Sequence, residues 1–158
     1  MLQSLSISNY ALISSLSVEF DNGFSVITGE TGAGKSILLG ALGFVLGNRA
    51  DSNILFDDTK KCVVEASFGV ETYGLQSFFE ENAMDYETEC VIRREIMSDG
   101  TRSRAFVNDS PVTLDVLKML TERLIDIHSQ HKDNSFFDER KQITFVDKYI
   151  KPKKKKLA

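Results

Sequence analysis

Alternating apolar and polar residues predict two β-strands at the start of the chain. The first strand runs through Leu5 and Ile7, and the second covers residues 16–20, where apolar residues again occupy every second position. A period of two places alternate side chains on one face of a strand, so each strand has an apolar face. A polar break at Asn9 and the segment Ala11–Ser15 are predicted to separate the two strands.

The next pattern is a strand, a glycine-rich loop and a helix. The turn sequence Asp21–Gly23 precedes Phe24–Thr28, an apolar run that predicts a short strand leading directly into the loop. Beyond the loop, apolar residues recur at helical spacing until Gly47, which favours a helix end. Gly40 and Gly43 weaken this predicted helix, which indicates that they allow close packing against a sheet.

A strand, a short helix and a hairpin are predicted in the middle of the chain. Cys62–Phe68 predicts the strand, and apolar residues at helical spacing after it predict a helix ending near Met84. Cys90–Met97 and Arg102–Asn108 predict the two strands of the hairpin. Asp99-Gly100 between them favours the positive φ angles of a tight turn.

The last third is predicted to contain two helices separated by a strand. Pro111 marks a boundary, after which Thr113 can cap a helix. The residues predicted to line one face of that helix are Leu114, Leu117 and Leu120. Leu124–Ile127 is interpreted as a short strand, and residues 138–149 as a final helix.

The composition is that of one soluble domain. With 158 residues and 42% hydrophobic residues, residues 1–150 can bury a core, and residues 151–158 form a lysine-rich tail or linker. No apolar run approaches the roughly 20 residues of a membrane span, so a cytoplasmic location is expected. Cys62 and Cys90 lie in separate predicted strands without a partner at metal-ligand spacing, and we expect both to be buried and free.

The net charge of −4 conceals an asymmetry between the body and the end of the chain. Five lysines lie within residues 151–156, so the remaining residues 1–150 carry a net charge of −9. An acidic body is a poor general surface for DNA. The lysine-rich end can contact phosphates or form a solvated tail.

The most specific motif is Gly29-Glu-Thr-Gly-Ala-Gly-Lys-Ser36, which matches the phosphate-binding loop pattern G-x-x-x-x-G-K-[ST]. Its glycines let backbone N–H groups turn toward phosphate oxygens, and the following helix adds its positive N-terminal end. Lys35 is predicted to reach the β- and γ-phosphates, and the Ser36 hydroxyl to help hold Mg²⁺. The motif predicts a nucleoside triphosphate ligand with magnesium.

Several blocks in a fixed order resemble one family. The blocks are Ser8–Ile13, Gly29–Ile37, Leu46–Asp51, Arg102–Asn108 and Ile125–His131. They resemble the N-terminal part of RecN-type bacterial DNA repair proteins, which are SMC-like, ABC-type ATPases. The resemblance implies an α/β P-loop fold, namely the N-terminal lobe of an ABC/SMC-type head, with a mixed sheet and an antiparallel β part. It also implies ATP with Mg²⁺ and a role in the repair and recombination of DNA double-strand breaks.

The resemblance also assigns site residues. By it, Gln130 matches a glutamine that contacts Mg²⁺ and positions the attacking water, so the catalytic residues are predicted to be Lys35 and Gln130 and the metal ligands Ser36 and Gln130. The residues predicted to contact the nucleotide are Gly29, Glu30, Thr31, Gly32, Ala33, Gly34, Lys35, Ser36 and Arg49. Gln130 can alternatively be an ordinary surface residue. His128 and His131 have the spacing of metal ligands, but no cysteine or carboxylate cluster completes a zinc set.

Two basic features have alternative interpretations. Arg49 can face nucleotide or DNA, as in SMC-like heads, or it can simply be a cation favoured near a helix C-terminus. Arg102, Arg104 and Phe106 are predicted to share a strand face that either binds DNA phosphates or forms ion pairs within the protein. Arg93 and Arg94 are neighbours in the sequence, so they face opposite ways and cannot both belong to this face.

The other half of a catalytic site is missing from the sequence. No apolar strand ends in an Asp-Glu pair, no Ser-Gly-Gly signature follows, and Asp57-Asp58 precedes a lysine turn and is rejected as that pair. We therefore expect weak nucleotide binding and little hydrolysis by this chain alone. The resemblance implies completion by a C-terminal lobe carrying the signature and the Asp-Glu strand, by a second head in a homodimer, and by DNA ends as a partner.

Two other functions compete with this interpretation. One is another P-loop enzyme, such as a transporter ATPase or a nucleotide kinase. A transporter subunit normally carries its signature in one continuous domain, and a kinase needs a lid with arginines and an acceptor pocket. The other is a non-catalytic DNA- or protein-interaction module that uses the basic hairpin and the lysine-rich tail.

Overall fold

A six-stranded antiparallel sheet organises the chain in the computed structural model, which describes residues 1–29, 34–49, 54–100 and 102–127. Along the sheet the strands follow the order β2-β1-β3-β4-β5-β6. The strands are β1 Leu2–Tyr10, β2 Ile13–Glu19, β3 Cys62–Gly69, β4 Glu89–Ile96, β5 Ser103–Val107 and β6 Ser110–Val112. The helices are α1 Lys35–Val45, α2 Gln76–Glu81 and α3 Leu114–Leu124. Met1–Ile125 forms one compact unit, and Asp126–Ala158 forms a second, of which only residues 126–127 are described.

One face of the sheet carries the core, because alternate residues of each strand are apolar. Leu5 of β1 pairs with Ala66 of β3, which pairs with Ile92 of β4, and all three side chains are buried. α1 packs on this sheet against β1, β3 and β4, and α3 contacts β5. The opposite face of β1 and β2 carries serines, including the directly paired Ser6 and Ser17. The sheet is therefore buried on one side and hydrated on the other.

Most of the predicted elements are confirmed. The strand predicted at Cys62–Phe68, the short helix before Met84 and the hairpin around Gly100 are all present, and Gly100 has a φ of 67°. The Thr113 hydroxyl caps α3 by accepting a hydrogen bond from the N–H of Val116 at 3.4 Å. Both cysteines are buried and free, and burial raises the pKa of the Cys62 thiol to about 11 and that of Cys90 to about 12.

The predicted break between the first two strands is wrong in extent. β1 continues through Asn9 to Tyr10, and only Ala11 and Leu12 form the turn before β2. Asn9 has a φ of 57° and is 4% exposed. Its side-chain amide donates to the carbonyls of Asp57 and Lys60 at 2.9 and 2.8 Å and accepts from the N–H of Asp57 at 2.7 Å. A polar residue thus lies inside the strand because it binds a distant backbone turn.

The predicted strand at Phe24–Thr28 is not formed among the described residues. Residues 24–29 have no regular structure, and the side chain of Phe24 is 93% exposed. An apolar run becomes a strand only when it finds a hydrogen-bonding partner. The preceding turn is confirmed only as a bend, where Gly23 has a φ of 110°.

Two predictions near α3 are also wrong. Leu124 ends the helix instead of starting a strand, and residues 125–127 are irregular. Leu117, Leu120 and Leu124 form the buried face of α3, whereas Leu114 is 39% exposed. Pro111, predicted as a boundary, lies in the edge strand β6, where its missing N–H is tolerated.

We expect Asn9→Ala to lower the free energy of unfolding by about 2 kcal/mol, because it removes three hydrogen bonds and places alanine at a positive φ. Urea denaturation measures the change. Ser6→Ala, on the exposed face of the same strand, is the control and should alter stability by less than about 0.5 kcal/mol. Equal effects of the two substitutions would contradict the assigned role of Asn9.

Candidate functional site

The two ends of the phosphate-binding loop lie close together and are joined by Lys35. Its ammonium group donates a hydrogen bond to the carbonyl of Gly29. Gly34 has a φ of 78°, a conformation that favours glycine, and an added Cβ there would meet no atom within 4 Å. The backbone conformation, rather than lack of space, therefore requires glycine at this position.

Among the described residues, no side chain caps the N-terminal end of α1. The first turn of this helix carries no acidic residue. The first N–H groups of a helix have no partner within the helix, and the helix dipole makes this end positive. Together with the Lys35 ammonium, these features suit an anion.

An apolar groove of about 320 Å³ adjoins this end of the helix. It lies between α1 and the first two strands. Its lining residues are Leu2, Leu5, Val18, Phe20, Ile27, Lys35, Leu38, Leu39 and Leu42. Ile27 is 51% exposed and Leu39 is 43% exposed, so apolar surface remains open directly beside Lys35.

The opposite end of α1 is held by a residue that the sequence interpretation missed. Arg94 of β4 is 1% exposed, and its guanidinium donates to the carbonyls of Phe44 at 2.9 Å and Asn48 at 3.4 Å. Thr121 of α3 adds a hydrogen bond to the carbonyl of Leu46 at 2.9 Å. The alternation of residues in the sequence could have revealed it, because Arg94 lies two positions after Ile92, on the same buried face of β4.

Arg49 lies beyond this held end of α1. The helix contains 11 residues, so its two ends are roughly 16 Å apart and Arg49 is not brought beside Lys35 within this unit. Arg49 is exposed. The other interpretation of Arg49 was a cation that stabilises the C-terminal end of α1. In the structure, Arg94 occupies that position. Contact between Arg49 and a nucleotide stays a prediction.

The two glycines inside α1 allow close approaches. A Cβ on Gly40 would lie 3.1 Å from the hydroxyl of Tyr10 in β1, as the predicted packing against the sheet requires. A Cβ on Gly43 would lie 2.6 Å from the side chain of Asn48 instead. The missing side chain of Gly43 therefore makes room for the turn that follows the helix and not for packing against the sheet.

The basic hairpin face is an ion-pair network, which was one of its two predicted interpretations. Arg93 lies 3.0 Å from Asp109 and 3.5 Å from Glu95, and its guanidinium stacks 4.7 Å from the ring centre of Phe106. Arg102 precedes β5 and pairs with Asp99 in the turn at 3.3 Å. Arg104 and Phe106 alternate in β5 and share a face, as predicted, whereas Arg102 lies just before the strand, and the arginine that stacks on Phe106 is Arg93 of β4.

Several predicted site residues lie outside the described residues. They are Glu30, Thr31, Gly32, Ala33, His128, Gln130 and His131. The lysine-rich segment 151–158 and the predicted helix at 138–149 also lie outside them. Within the described ranges, no group of three or more potential metal-ligating side chains is found, and no helix has the length and hydropathy needed to cross a membrane.

Comparison with known sequences gives consistent matches. A family profile described as an AAA domain matches residues 4–158. The chain is 43% identical over 150 residues to the DNA repair protein RecN of Vibrio cholerae, 38% identical over 153 residues to that of Haemophilus influenzae, and 33% identical over 150 residues to that of Bacillus subtilis. These matches cover 94% of this chain but only 26% to 27% of the relatives. The resemblance to RecN-type proteins is confirmed.

Solved structures share the fold. A structure from work on the ATP-driven dimerization and DNA-stimulated activation of SMC ATPases gives a TM-score of 0.67 at 24% identity, covering 94% of this chain and 98% of that one. The Smc head domain of Pyrococcus yayanosii, solved with a coiled coil and joint, gives a TM-score of 0.70 at 23% identity, covering 94% and 33%. The predicted fold class, an SMC-type head lobe of the P-loop class with an antiparallel β part, is confirmed, whereas the sheet predicted to be mixed is antiparallel throughout the described residues.

We expect Arg93→Ala to lower the free energy of unfolding by about 1 kcal/mol, since it removes a ring contact and partly exposed ion pairs. The matched control is Arg104→Ala on the neighbouring strand, because Arg104 is exposed and should cost less than about 0.5 kcal/mol. Thermal and urea unfolding of both variants provide the comparison. A larger loss for Arg104→Ala would show that the network is assigned to the wrong arginine.

Proposed function

The chain belongs to the AAA domain family, and from this membership we propose that it is the ATP-binding N-terminal lobe of an SMC-like ATPase head acting in DNA double-strand break repair. The observation that carries the proposal is the geometry at Lys35. The ammonium group reaches back across the loop to Gly29, at the open N-terminal end of α1. This arrangement concentrates positive charge where a loop of the P-loop class receives phosphate.

In the proposed site, residues of the loop bind the phosphates of ATP. Backbone N–H groups of residues 29–36 donate to phosphate oxygens, including those of Glu30, Thr31, Gly32 and Ala33. The Lys35 ammonium leaves the Gly29 carbonyl and donates to the β- and γ-phosphates. The absence of an acidic side chain in the first turn of α1 supports this, because a carboxylate there would repel the ligand.

The proposed magnesium ligands from this chain are Ser36 and Gln130. A hydroxyl and an amide oxygen are the hard donors that Mg²⁺ prefers, and Ser36 is exposed at the N-terminal end of α1. When bound, Mg²⁺ would neutralise charge on the phosphates. We further propose that Gln130 orients the attacking water and that Arg49 approaches the nucleotide when the head is complete.

Completion of the head would come from the part of the relatives' length that this chain does not span. The apolar groove beside Lys35 and the exposed apolar run Phe24–Thr28 support this, because surface of this kind is expensive to leave in water. We propose that a C-terminal lobe carrying the signature and the Asp-Glu strand covers them. Hydrolysis would then need a second head in a homodimer, with each loop facing the partner's signature.

DNA is the proposed substrate of the assembled protein, and its proposed location is the nucleoid in the cytoplasm. The similarity to RecN proteins described as DNA repair proteins supports DNA as a partner. The alternative of a non-catalytic DNA-binding module is not favoured. Two arginines of the hairpin, Arg93 and Arg102, pair with carboxylates, which reduces the positive charge that the hairpin can offer to DNA phosphates.

Lys35→Ala in the full-length protein should reduce ATPase kcat/KM by about 100-fold or more, because the ammonium contacts the phosphates. The control is Lys60→Ala, which removes an exposed lysine that pairs with Asp57 in a surface turn. We expect this control to stay within about twofold of the unchanged protein. Normal ATPase activity of Lys35→Ala would refute the proposed site.

Alanine substitutions at two glycines distinguish a specific effect on nucleotide binding from a general loss of stability through backbone strain. Gly34 and Gly74 both have positive φ angles, of 78° and 63°, and both have open space where a Cβ would lie. Alanine at either position should cost about 1 kcal/mol or more of stability. Only Gly34→Ala should weaken MgATP binding by the full-length protein, by about tenfold or more, because it displaces the N–H groups of the loop. Equal nucleotide affinities of the two variants, measured by titration calorimetry, would contradict the proposal.

A further inference from the structure

Arg94 is the largest fully buried side chain among the described residues, and its hydrogen bonds reach the C-terminal end of α1 and Ser103 of β5. One terminal nitrogen donates to the carbonyls of Phe44 and Asn48. The other donates to the Ser103 hydroxyl at 2.7 Å. The guanidinium carbon lies 4.3 Å from the centre of the Phe44 ring. Strand β4 is thereby connected to the helix that begins at Lys35.

The charge of Arg94 has no ion-pair partner among the described residues. Burial lowers its pKa to about 10, so the group is still protonated at neutral pH. An unpaired buried charge is destabilising, and an apolar side chain of similar volume would often give a more stable core. The arginine therefore has a use that packing alone does not explain.

The position of Arg94 at the C-terminal end of α1 suggests its role. The C-terminal end of a helix carries a partial negative charge, and α1 has no basic residue of its own in its last turn. Arg94 supplies the missing cation from a neighbouring strand. Because it binds carbonyls on both sides of the helix end, it fixes the position of α1 along its axis as well as neutralising its end.

The two halves of α1 differ in how they are held. The buried residues of the helix are Ala41, Gly43, Phe44 and Val45, all in its C-terminal half. In the N-terminal half, Lys35, Ser36 and Leu39 are exposed. The anchored half therefore determines where the exposed half presents Lys35 and Ser36.

We propose that Arg94 is a positioning residue for nucleotide binding. It acts through α1: by fixing the C-terminal end of this helix, it sets the place of Lys35 and Ser36 roughly 16 Å away at the other end. It does not touch the nucleotide. This inference rests on the proposed function, because it assumes that Lys35 and Ser36 bind phosphate and magnesium.

The test compares nucleotide affinity with stability in the full-length protein. The variants are Arg94→Met, which keeps volume and removes charge, and Arg94→Lys, which restores the charge. Arg93→Met on the opposite face of the same strand is the matched control. The Kd for MgATP is measured about 20 °C below the melting temperature of each variant, where the folded form dominates. A purely structural role would lower the melting temperature and leave this Kd unchanged.

We expect Arg94→Met to raise the Kd by about tenfold, Arg94→Lys to recover most of the affinity, and Arg93→Met to stay within about twofold. An unchanged Kd for folded Arg94→Met overturns the inference. If Arg94→Met does not fold, Ser103→Ala decides, because it removes one partner of the guanidinium at an exposed position. That variant should raise the Kd by about threefold, and an unchanged Kd overturns the inference.

The Lys35→Ala variant in the same titration separates the two proposals. If the unchanged protein binds MgATP and Lys35→Ala does not, while Arg94→Met binds normally, only the role of Arg94 fails. If Lys35→Ala binds as tightly as the unchanged protein, the proposed function fails and the inference about Arg94 fails with it.

Discussion

The docking of α1 on the buried face of the sheet is the constraint on which the rest of this lobe depends. The helix has to be held firmly, yet the exposed residues of its first turn, Lys35 and Ser36, have to remain able to receive an anion. The chain meets both requirements by burying only the second half of the helix, around Phe44 and Val45. Arg94 and Thr121 bind the carbonyl groups at that end. The contacts that anchor the helix thus lie at the end away from the phosphate loop.

The same arrangement leaves one side of the lobe open. The groove beside Lys35 is apolar, and the run Phe24–Thr28 has no strand partner among the described residues. Open apolar surface next to a phosphate-binding loop fits a site that another part of the protein completes. The relatives are longer than this chain and have room for such a part. The proposed division of the head between two lobes accounts for both the open groove and the unpaired run.

Sequence patterns predicted those features that depend on neighbouring residues. The cap at Thr113 and the turn at Gly100 both follow from local chemistry, and each was predicted at its observed position. The failures depend on distant partners. Asn9 belongs to a strand because its amide binds a turn some 48 residues away, and Phe24–Thr28 lacks a strand partner. Arg94 was missed for the same reason, since a buried arginine is explained only by the helix end it meets.

A structure of the full-length protein with a non-hydrolysable ATP analogue and Mg²⁺ tests most directly whether α1 presents Lys35 and Ser36 to the nucleotide. We expect the Lys35 ammonium to have left the Gly29 carbonyl for the β- and γ-phosphates, with Mg²⁺ on the Ser36 hydroxyl, and Arg94 still to bind the carbonyl of Phe44. A nucleotide bound elsewhere, with Lys35 still on Gly29, would contradict this expectation.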